Sequence, residues 1–118
     1  MAEAGLFIGW GEPVTGREAK GLQVFAEALA YYGKAEQEGR IESHETAFLG
    51  PHGGDLAGFT LVRGSEAQMA ALRVEDEFER VIARAGLVVQ NLGVIDASIG
   101  DGVQDAVAVY QAAVNDLA

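Results

Sequence analysis

The pattern of apolar and polar residues in the middle of the chain predicts a β-hairpin. Residues 41–49 and 56–63 are rich in β-branched and aromatic side chains, and the run Gly-Pro-His-Gly-Gly-Asp at residues 50–55 separates them. Two such segments joined by Gly, Pro and Asp are typical of two strands and a turn. The first segment carries polar residues on both faces, which predicts an edge strand. The second is apolar on both faces, which predicts an interior strand.

Segments with helical periodicity lie on both sides of this hairpin. Apolar residues recur three or four positions apart in residues 16–38 and again in residues 65–85, as they do on the buried side of a helix. In the second segment the periodicity changes phase near residues 73–76. That change predicts a kink or two short helices.

A further strand is predicted outside each of these helices, and a last helix closes the chain. The apolar run 6–10 ends at Gly11, and the β-rich run 87–99 is interrupted by Gly93, where a bulge or bend is expected. From residue 101 the helical period returns, and one side of it is formed by Val103, Val107, Tyr110, Val114 and Leu117. Three pairs have the spacing of a capping box and predict where the three helices start: Thr15 with Glu18, Ser65 with Gln68, and Asp101 with Gln104.

The element order βαββαβ with an added C-terminal helix predicts the fold class. Right-handed crossovers on one antiparallel sheet give a ferredoxin-like α+β sandwich, with the helices 16–38 and 65–85 on one face. At 118 residues the chain is expected to form a single domain, residues 1–118. The expected core residues are Leu22, Phe25, Leu29, Phe59, Leu61, Phe78 and Ile82.

Composition and charge narrow the range of partners. The chain has 8 Lys and Arg and 18 Asp and Glu, a net charge of −10, so neither nucleic acid nor an anionic membrane surface is expected to bind. It has no cysteine, which excludes disulfides, thiolate metal sites and a cysteine nucleophile. The first five residues lack the basic region of a signal peptide, and no apolar run approaches ~18 residues. The expected location is therefore cytoplasmic.

The number of apolar strand residues exceeds what the helices can cover. Strands that are apolar on both faces need cover on both, but two crossover helices protect only one side of the sheet. A second copy of the chain is the simplest cover. We therefore expect a homodimer whose interface buries more than ~2,000 Å² in total.

Residues 58–66, Gly-Phe-Thr-Leu-Val-Arg-Gly-Ser-Glu, and residues 75–78, Glu-Asp-Glu-Phe, resemble segments of the dimeric α+β barrel superfamily. In that superfamily two ferredoxin-like sheets pack face to face, so the resemblance implies this fold and a dimer. The chain is similar in particular to small uncharacterised bacterial members related to YCII-like domains. YCII-like proteins carry a histidine in the first helical region, and residues 17–38 contain none, so no catalytic role is carried over.

Few residues in the sequence indicate a metal site, a cofactor site or a catalytic site. The two histidines, His44 and His52, lack metal-ligand spacing, so no metal site is predicted. Gly9 and Gly11 follow a strand, but the third glycine of a dinucleotide-binding motif comes too late. Neither a P-loop nor a nucleophile elbow occurs, so no cofactor is expected.

Four residues are candidates for a small-molecule site in a cleft between the sheet and the first two helices. Trp10 offers an apolar wall, Tyr32 a hydroxyl, His44 a titratable imidazole and Arg63 a cation, the mixture that binding clefts use. Each has a structural alternative. Trp10 could belong to the core or an interface, His44 to the surface, and Arg63 to an ion pair with one of the many carboxylates.

Two classes of function are open from the sequence. The first is a dimeric protein that binds a small molecule in the cleft between sheet and helices. The second is a small cofactor-independent enzyme of the monooxygenase, isomerase or lyase type, for which no catalytic residue is identified. The shortage of His, Cys and paired carboxylates at recognisable spacing favours the first class.

Overall fold

A computed structural model describes residues 3–118 of the chain. Its elements are β1 (Ala4–Trp10), α1 (Glu18–Gln37), β2 (Ser43–Phe48), β3 (Gly58–Gly64), α2 (Glu66–Arg73), α3 (Asp76–Gly86), β4 (Gly93–Ser98) and α4 (Asp101–Leu117). Residues 1 and 2, on which the expectation about a signal peptide partly rests, lie outside the described residues.

The strands form one antiparallel sheet in the order β2-β3-β1-β4. β1 lies between β3 and β4, so that Leu6 is opposite Val62 on one side and Asp96 on the other. β2 is an edge strand and β3 an interior strand, as their polar and apolar patterns predicted. This order of elements and strands is that of the ferredoxin-like α+β fold, which confirms the predicted fold class.

One face of the sheet is covered by helices and holds the hydrophobic core. Leu6, Ile8 and Val62 of the central strands are almost completely buried. The helix side chains that pack with them are Tyr31, Tyr32, Ala35, Met69, Leu72 and Phe78. Burial of large apolar side chains contributes roughly 1.5–3 kcal/mol each to stability before the conformational entropy is subtracted.

The predicted core is partly wrong because α1 is rotated from its expected orientation. Phe78 is buried and Ile82 packs against the core, as predicted. Leu22, by contrast, is 72% exposed, since Val24 and Tyr31 face the protein interior instead. A tyrosine on that side of the helix can be buried because its hydroxyl has a polar partner inside the fold.

The remaining predicted core residues are only partly buried, for two different reasons. Phe25 and Leu29 border a cavity beneath α1. Phe59 and Leu61 lie on the face of the sheet that the helices do not cover, in register with Gly9 and Phe7. Strand alternation places them there, because Thr60 and Val62 take the helix side of β3.

Two predictions for the second helical region are confirmed, the capping box at its start and the break within it. Ser65 and Gln68 form a capping box, in which Gln68 N donates to Ser65 Oγ at 3.1 Å and Ser65 N donates to Gln68 Oε1 at 2.8 Å. α2 ends at Arg73 and α3 begins at Asp76, so the phase change marks two short helices. Each helix can therefore present its own apolar side to the sheet.

The other two capping boxes are wrong, because the backbone turns at neighbouring residues. α1 begins after Arg17, which follows a turn in which Gly16 has a φ of +88°. α4 begins after Gly100, whose φ is 52°, so Asp101 lies inside the helix and not at its cap. β4 is also shorter than predicted: it starts at Gly93, and residues 87–92 connect α3 to it.

A polar cluster joins α1 to the break between α2 and α3. The Tyr31 hydroxyl donates to Glu75 Oε1 at 2.6 Å, and the Arg40 guanidinium pairs with the same carboxylate. The guanidinium carbon of Arg40 also lies 5.6 Å from the centroid of the Tyr31 ring, a cation–π contact. Burial and the Glu75 carboxylate raise the pKa of Tyr31 well above its ordinary value, so the phenol remains a donor.

Glu75→Ala is expected to destabilise the protein by about 2–3 kcal/mol, because it leaves the Tyr31 hydroxyl and the Arg40 guanidinium without their shared acceptor. Tyr31→Phe removes one hydrogen bond and is expected to cost about 1 kcal/mol. Urea denaturation measures both free energies of unfolding, and exposed Glu77 in the same helical turn provides the control Glu77→Ala. A loss in Glu75→Ala no larger than in the control would show that the cluster contributes nothing.

Candidate functional site

An apolar cavity of about 460 Å³ lies between the sheet and the helices α1 and α3. The sheet forms its floor, the two helices its roof, and the connection from α3 to β4 one of its sides. Large apolar side chains in its lining include Trp10, Phe25, Leu29, Phe48, Ile82 and Leu92. Cavities of this size and character bind small organic molecules.

Three aromatic rings lie together in this lining. Between ring centroids, Trp10 is 6.0 Å from Phe25 and 6.3 Å from Phe48, both with edge-to-face geometry, and Phe25 is 5.1 Å from Phe48. Trp10 ends β1 and Phe48 ends β2, and both flank Gly58 of β3. A Cβ on Gly58 would come within 2.9 Å of the Trp10 ring, so the glycine leaves room for the indole. Phe48 is 68% exposed, so the aromatic group reaches the protein surface.

Tyr32 of α1 contributes a free hydrogen-bond donor to the cavity. Its side chain is 2% exposed, and its hydroxyl makes no hydrogen bond within residues 3–118. The hydroxyl oxygen is not completely enclosed by protein atoms, and the Tyr32 residue is part of the cavity lining. Burial raises the pKa of Tyr32 well above its ordinary value, which keeps the phenol neutral. The second buried hydroxyl in the lining, that of Thr60, is already paired with Thr46 at 2.8 Å.

Two surface contacts hold α1 and α3 over the cavity. The Arg84 guanidinium of α3 donates to both carboxylate oxygens of Glu27 on α1, at 2.9 and 3.1 Å. This pairing holds the pKa of the Glu27 carboxyl below its usual range. Arg17 Nη1 donates to the Leu87 carbonyl oxygen at 3.3 Å, beside the start of α1. Because both contacts are exposed, they orient the helices and add little to stability.

The structure brings two of the four predicted site residues together. Trp10 and Tyr32 both line the cavity. His44 lies on the same side of the sheet, with its ring 6.0 Å from that of Tyr32, but it is outside the cavity lining. Its Nδ1 pairs instead with Glu36 Oε1 at 2.9 Å, on the next turn of α1. His44 is therefore a neighbour of Tyr32 that does not line the cavity.

Arg63 lies on the opposite face of the sheet and does not belong to this group. Its Nη2 donates to Glu45 Oε1 at 3.0 Å, which is the ion pair that the sequence left open as the alternative. The physical reason is the two-residue period of a strand, which puts Arg63 in phase with Leu61 and out of phase with Val62. A cleft on the helix side cannot use this cation.

Sequence reasoning missed Phe48 and the α3 side of the cavity. Phe48 shares a face of β2 with His44 and Thr46, so its direction followed from the strand period once the helix side was known. Val81 and Ala85 are four positions apart on α3, but nothing in their spacing separates a residue that borders a cavity from one that fills a core.

A second cavity, of about 500 Å³ and with a more polar lining, lies between α2, β4 and α4. Arg73 in the lining of this second cavity donates through Nε to Asp96 Oδ1 at 2.9 Å, so the Asp96 carboxylate partly neutralises the charge of the Arg73 guanidinium.

Within residues 3–118 no group of three or more His, Cys, Asp and Glu side chains is arranged to hold a metal ion. Over the same range, no helix has both the length and the apolar character needed to cross a bilayer.

The sheet face away from the helices is also apolar. It carries Phe7, Phe59, Leu61 and Ile95, and this surface is termed the open face. Phe7 and Phe59 stack with their centroids 5.0 Å apart, and Ile95 is 56% exposed. A continuous apolar surface on a chain of this charge is typical of a protein–protein contact.

Comparison with known proteins shows the fold and no more. No protein-family model and no curated protein matches the chain. A dimeric ferredoxin-like protein of unknown function from Jannaschia sp. CCS1 matches with a TM-score of 0.64 and 13% identity, over 81% of this chain and 99% of that one. Another, from Thermobifida fusca YX, matches with a TM-score of 0.60 and 12% identity, over 84% and 93%.

A third solved structure carries a name that suggests an activity. It is a protein from Chloroflexus aurantiacus J-10-fl with the provisional name antibiotic biosynthesis monooxygenase, and it matches with a TM-score of 0.53 and 15% identity over 82% of this chain and 93% of that one. At these identities the likenesses establish the ferredoxin-like fold. The narrower resemblance to YCII-like domains stays a prediction.

Proposed function

We propose that the protein is a cytoplasmic homodimer that binds a small, neutral and mainly apolar molecule in the cavity between its sheet and helices. The observation that carries this proposal is an apolar cavity of about 460 Å³ with an unpaired tyrosine hydroxyl in its lining. The walls favour rings or branched aliphatic groups, and the hydroxyl favours a ligand with one acceptor oxygen, such as a ketone.

The charges around the cavity favour a neutral ligand. Glu12 and Glu18 are the charged residues in its lining, both are exposed, and the chain as a whole has a net charge of −10. An anionic ligand would be repelled by this field, and a cation would find no buried carboxylate to pair with. The neutral Tyr32 phenol instead offers a donor to a carbonyl or ether oxygen.

The homodimer is supported by the open face and by the structural neighbours. Phe7, Phe59 and Ile95 expose apolar surface that α1, α2 and α3 cannot reach, because those helices lie on the other side of the sheet. The proteins from Jannaschia and Thermobifida fusca are described as dimeric. A face-to-face contact between two open faces would leave both cavities available, since cavity and open face lie on opposite sides of one sheet.

Tyr32→Phe is expected to remove the preference of the cavity for a carbonyl. Benzophenone and diphenylmethane have the same two rings, but only the ketone accepts a hydrogen bond. In the wild type the ketone should bind about 2–10-fold more tightly, the worth of one net hydrogen bond. Fluorescence of Trp10, the only tryptophan in the chain, reports both titrations.

In Tyr32→Phe the two compounds should bind equally. His44→Gln is the matched control, because His44 packs behind Tyr32 without lining the cavity, and it should keep the preference for the ketone. A preference that survives in Tyr32→Phe would show that another group binds the oxygen. A preference lost in His44→Gln would return His44 to the site.

The second candidate function is a cofactor-independent enzyme, and the name of the Chloroflexus protein favours the monooxygenase type. The Tyr32 phenol would then polarise a carbonyl of the substrate. The two functions differ in what happens to a ligand that copurifies with the protein. A ligand released unchanged after incubation in air, at one molecule per chain, supports binding, whereas a ligand that is converted supports the enzyme.

A further inference from the structure

α4 is held only loosely by the rest of its own chain. None of its 17 residues is buried, although several are large and apolar. Its contacts with the described part of the chain are made near its start, where Gly102 approaches the carbonyl oxygen of Glu3, and along β4. With α4 included the molecule measures 52 × 37 × 23 Å, and its radius of gyration is 16.0 Å. A compact domain of this length has a radius of about 13–14 Å, so the shape is elongated.

The apolar residues of α4 form a continuous stripe along the helix. They alternate at spacings of four and three residues, the repeat that keeps one side of a helix against a partner. Their side chains are between 43% and 89% exposed. This surface, termed the α4 stripe, consists of Val103, Val107, Tyr110, Val114 and Leu117.

The α4 stripe does not face the chain to which it belongs. The residues that α4 turns toward its own α2 and β4 are Gly102, Asp105, Ala106 and Val109, which line the second cavity. At 100° per residue, the centre of the stripe lies roughly 110° around the helix from the centre of this group. Within residues 3–118, nothing covers the stripe.

We propose that the α4 stripe packs against a second copy of this chain, so that each protomer of the dimer carries a helical arm that contacts its partner. The inference rests on the proposed homodimer and adds a second contact region to the open face. A two-fold axis makes the contact reciprocal, since each chain both gives an arm and receives one. Within residues 3–118 the stripe and the open face are two apolar surfaces that other parts of the chain leave uncovered, and one symmetric assembly can bury both.

The area of the open face favours this arrangement. Four strands spaced ~4.8 Å apart, each about six residues long at ~3.4 Å per residue, make a face of roughly 19 × 20 Å. A patch of that size covers roughly 400 Å² per protomer, below the ~800 Å² per partner of a standard interface and the more than ~1,000 Å² per partner of obligate dimers. A helix of this length extends ~25 Å, and one side of it would add to the buried area.

The lengths of the structural neighbours agree with an added element. The dimeric Jannaschia protein is matched over 99% of its own chain but over only 81% of this one. The unmatched fifth is close in length to the segment that follows β4, residues 99–118. A dimeric ferredoxin-like chain is therefore complete in about four fifths of the present length, which leaves room here for one added element such as α4.

The charge of α4 argues against other occupants of the stripe. The helix carries Asp101, Asp105 and Asp116 and has no Lys, Arg or His. An anionic membrane or a nucleic acid would be repelled, and amphipathic helices that bind membranes are rich in basic residues. A second copy of this chain presents apolar surface of matching size.

The test places two carboxylates on the stripe of the full-length protein. Val107→Glu combined with Tyr110→Glu is expected to weaken the dimer at least ~10-fold, measured as the dissociation constant by sedimentation equilibrium. Gln104→Glu combined with Ala108→Glu adds the same charge to the other side of the same helix, where both residues are exposed. This control should stay within ~2-fold of the wild type.

The outcomes separate this inference from the proposed dimer. A wild-type dimer whose dissociation constant is unchanged in the stripe variant would overturn the role of α4 and leave the open-face dimer standing. A wild-type monomer would overturn both. An equal rise of the dimer dissociation constant in the stripe variant and in the control would show that the added negative charge alone weakens the dimer. That result would also overturn the role of α4.

A crosslinking experiment tests the same contact without the two glutamates, which could unfold α4 in the stripe variant. A photoreactive benzoylphenylalanine at position 110 replaces one aromatic side chain with another, and the protein is assembled from mixed ¹⁴N and ¹⁵N chains. Crosslinked peptides that combine both isotopes are expected if α4 touches its partner. Crosslinks confined to one isotope would place the stripe on its own chain and overturn the inference.

Discussion

Phe59→Glu is expected to convert the proposed dimer into a monomer, with a dissociation constant raised at least ~1,000-fold. Phe59 lies in β3, an interior strand of the sheet, and stacks on Phe7 of β1. A carboxylate at this position would be desolvated when two open faces meet, which costs free energy of association. Because the interface has two-fold symmetry, this desolvation cost occurs once in each protomer. Light scattering at micromolar concentration measures the change.

Two further variants distinguish loss of the dimer from unfolding of the protomer. Ile95→Glu changes an open-face residue that is already 56% exposed, so the isolated protomer should tolerate it while the dimer does not. Leu87→Glu changes a residue that is 64% exposed and lies outside the open face, so it should remain dimeric. A Phe59→Glu protein that is folded and still dimeric would show that the open face is not the interface.

Ala85→Phe is expected to abolish ligand binding, lowering the affinity for benzophenone at least ~100-fold. Ala85 projects from α3 into the apolar cavity, and a phenyl ring there would occupy the volume that the ligand needs. The ring would enter an existing apolar space, so the stability of the protein should change by less than about 1–2 kcal/mol. Titration followed by Trp10 fluorescence measures the affinity.

The matched control for this variant is Ala83→Phe, two residues away on the exposed side of α3. It adds the same ring to the same helix outside the cavity and should bind benzophenone as the wild type does. Equal affinities in Ala85→Phe and the wild type would mean that the compound binds elsewhere. Because the cavity and the open face are on opposite sides of the sheet, Ala85→Phe should also remain dimeric.

The periodicity of the chain was sufficient to predict the fold because each strand and helix carries its own local pattern. The edge position of β2 followed from its polar residues, and the break between α2 and α3 followed from the phase change near residues 73–76. The rotation of α1 did not follow, because two apolar sides of that helix compete. The hydrogen bond from Tyr31 to Glu75, 44 residues later, favours the side that the apolar spacing alone did not select.

The candidate site was harder to predict than the fold because it depends on which face each strand turns toward the helices. Trp10 and Tyr32 both line the cavity, since a strand end and a helix centre meet in this fold, and their part in ligand binding stays a prediction. Arg63 was placed on the wrong face, because a strand that is apolar on both sides gives no sign of its direction. The size of the cavity and most of its lining could not be predicted, since an apolar side chain that borders empty space has the same local pattern as one that is fully packed.

The most direct test of the proposed function is a titration of the wild type with benzophenone, observed through the indole N–H of Trp10 in ¹H–¹⁵N spectra. This group gives the chain's only indole signal, and its ring lines the cavity. Saturable binding at one molecule per chain is predicted, with a dissociation constant of ~0.1 mM or below, the Trp10 signal shifted, and the response lost in Ala85→Phe. An indole signal that stays unchanged to the solubility limit, or that shifts equally in Ala85→Phe, would contradict ligand binding in this cavity.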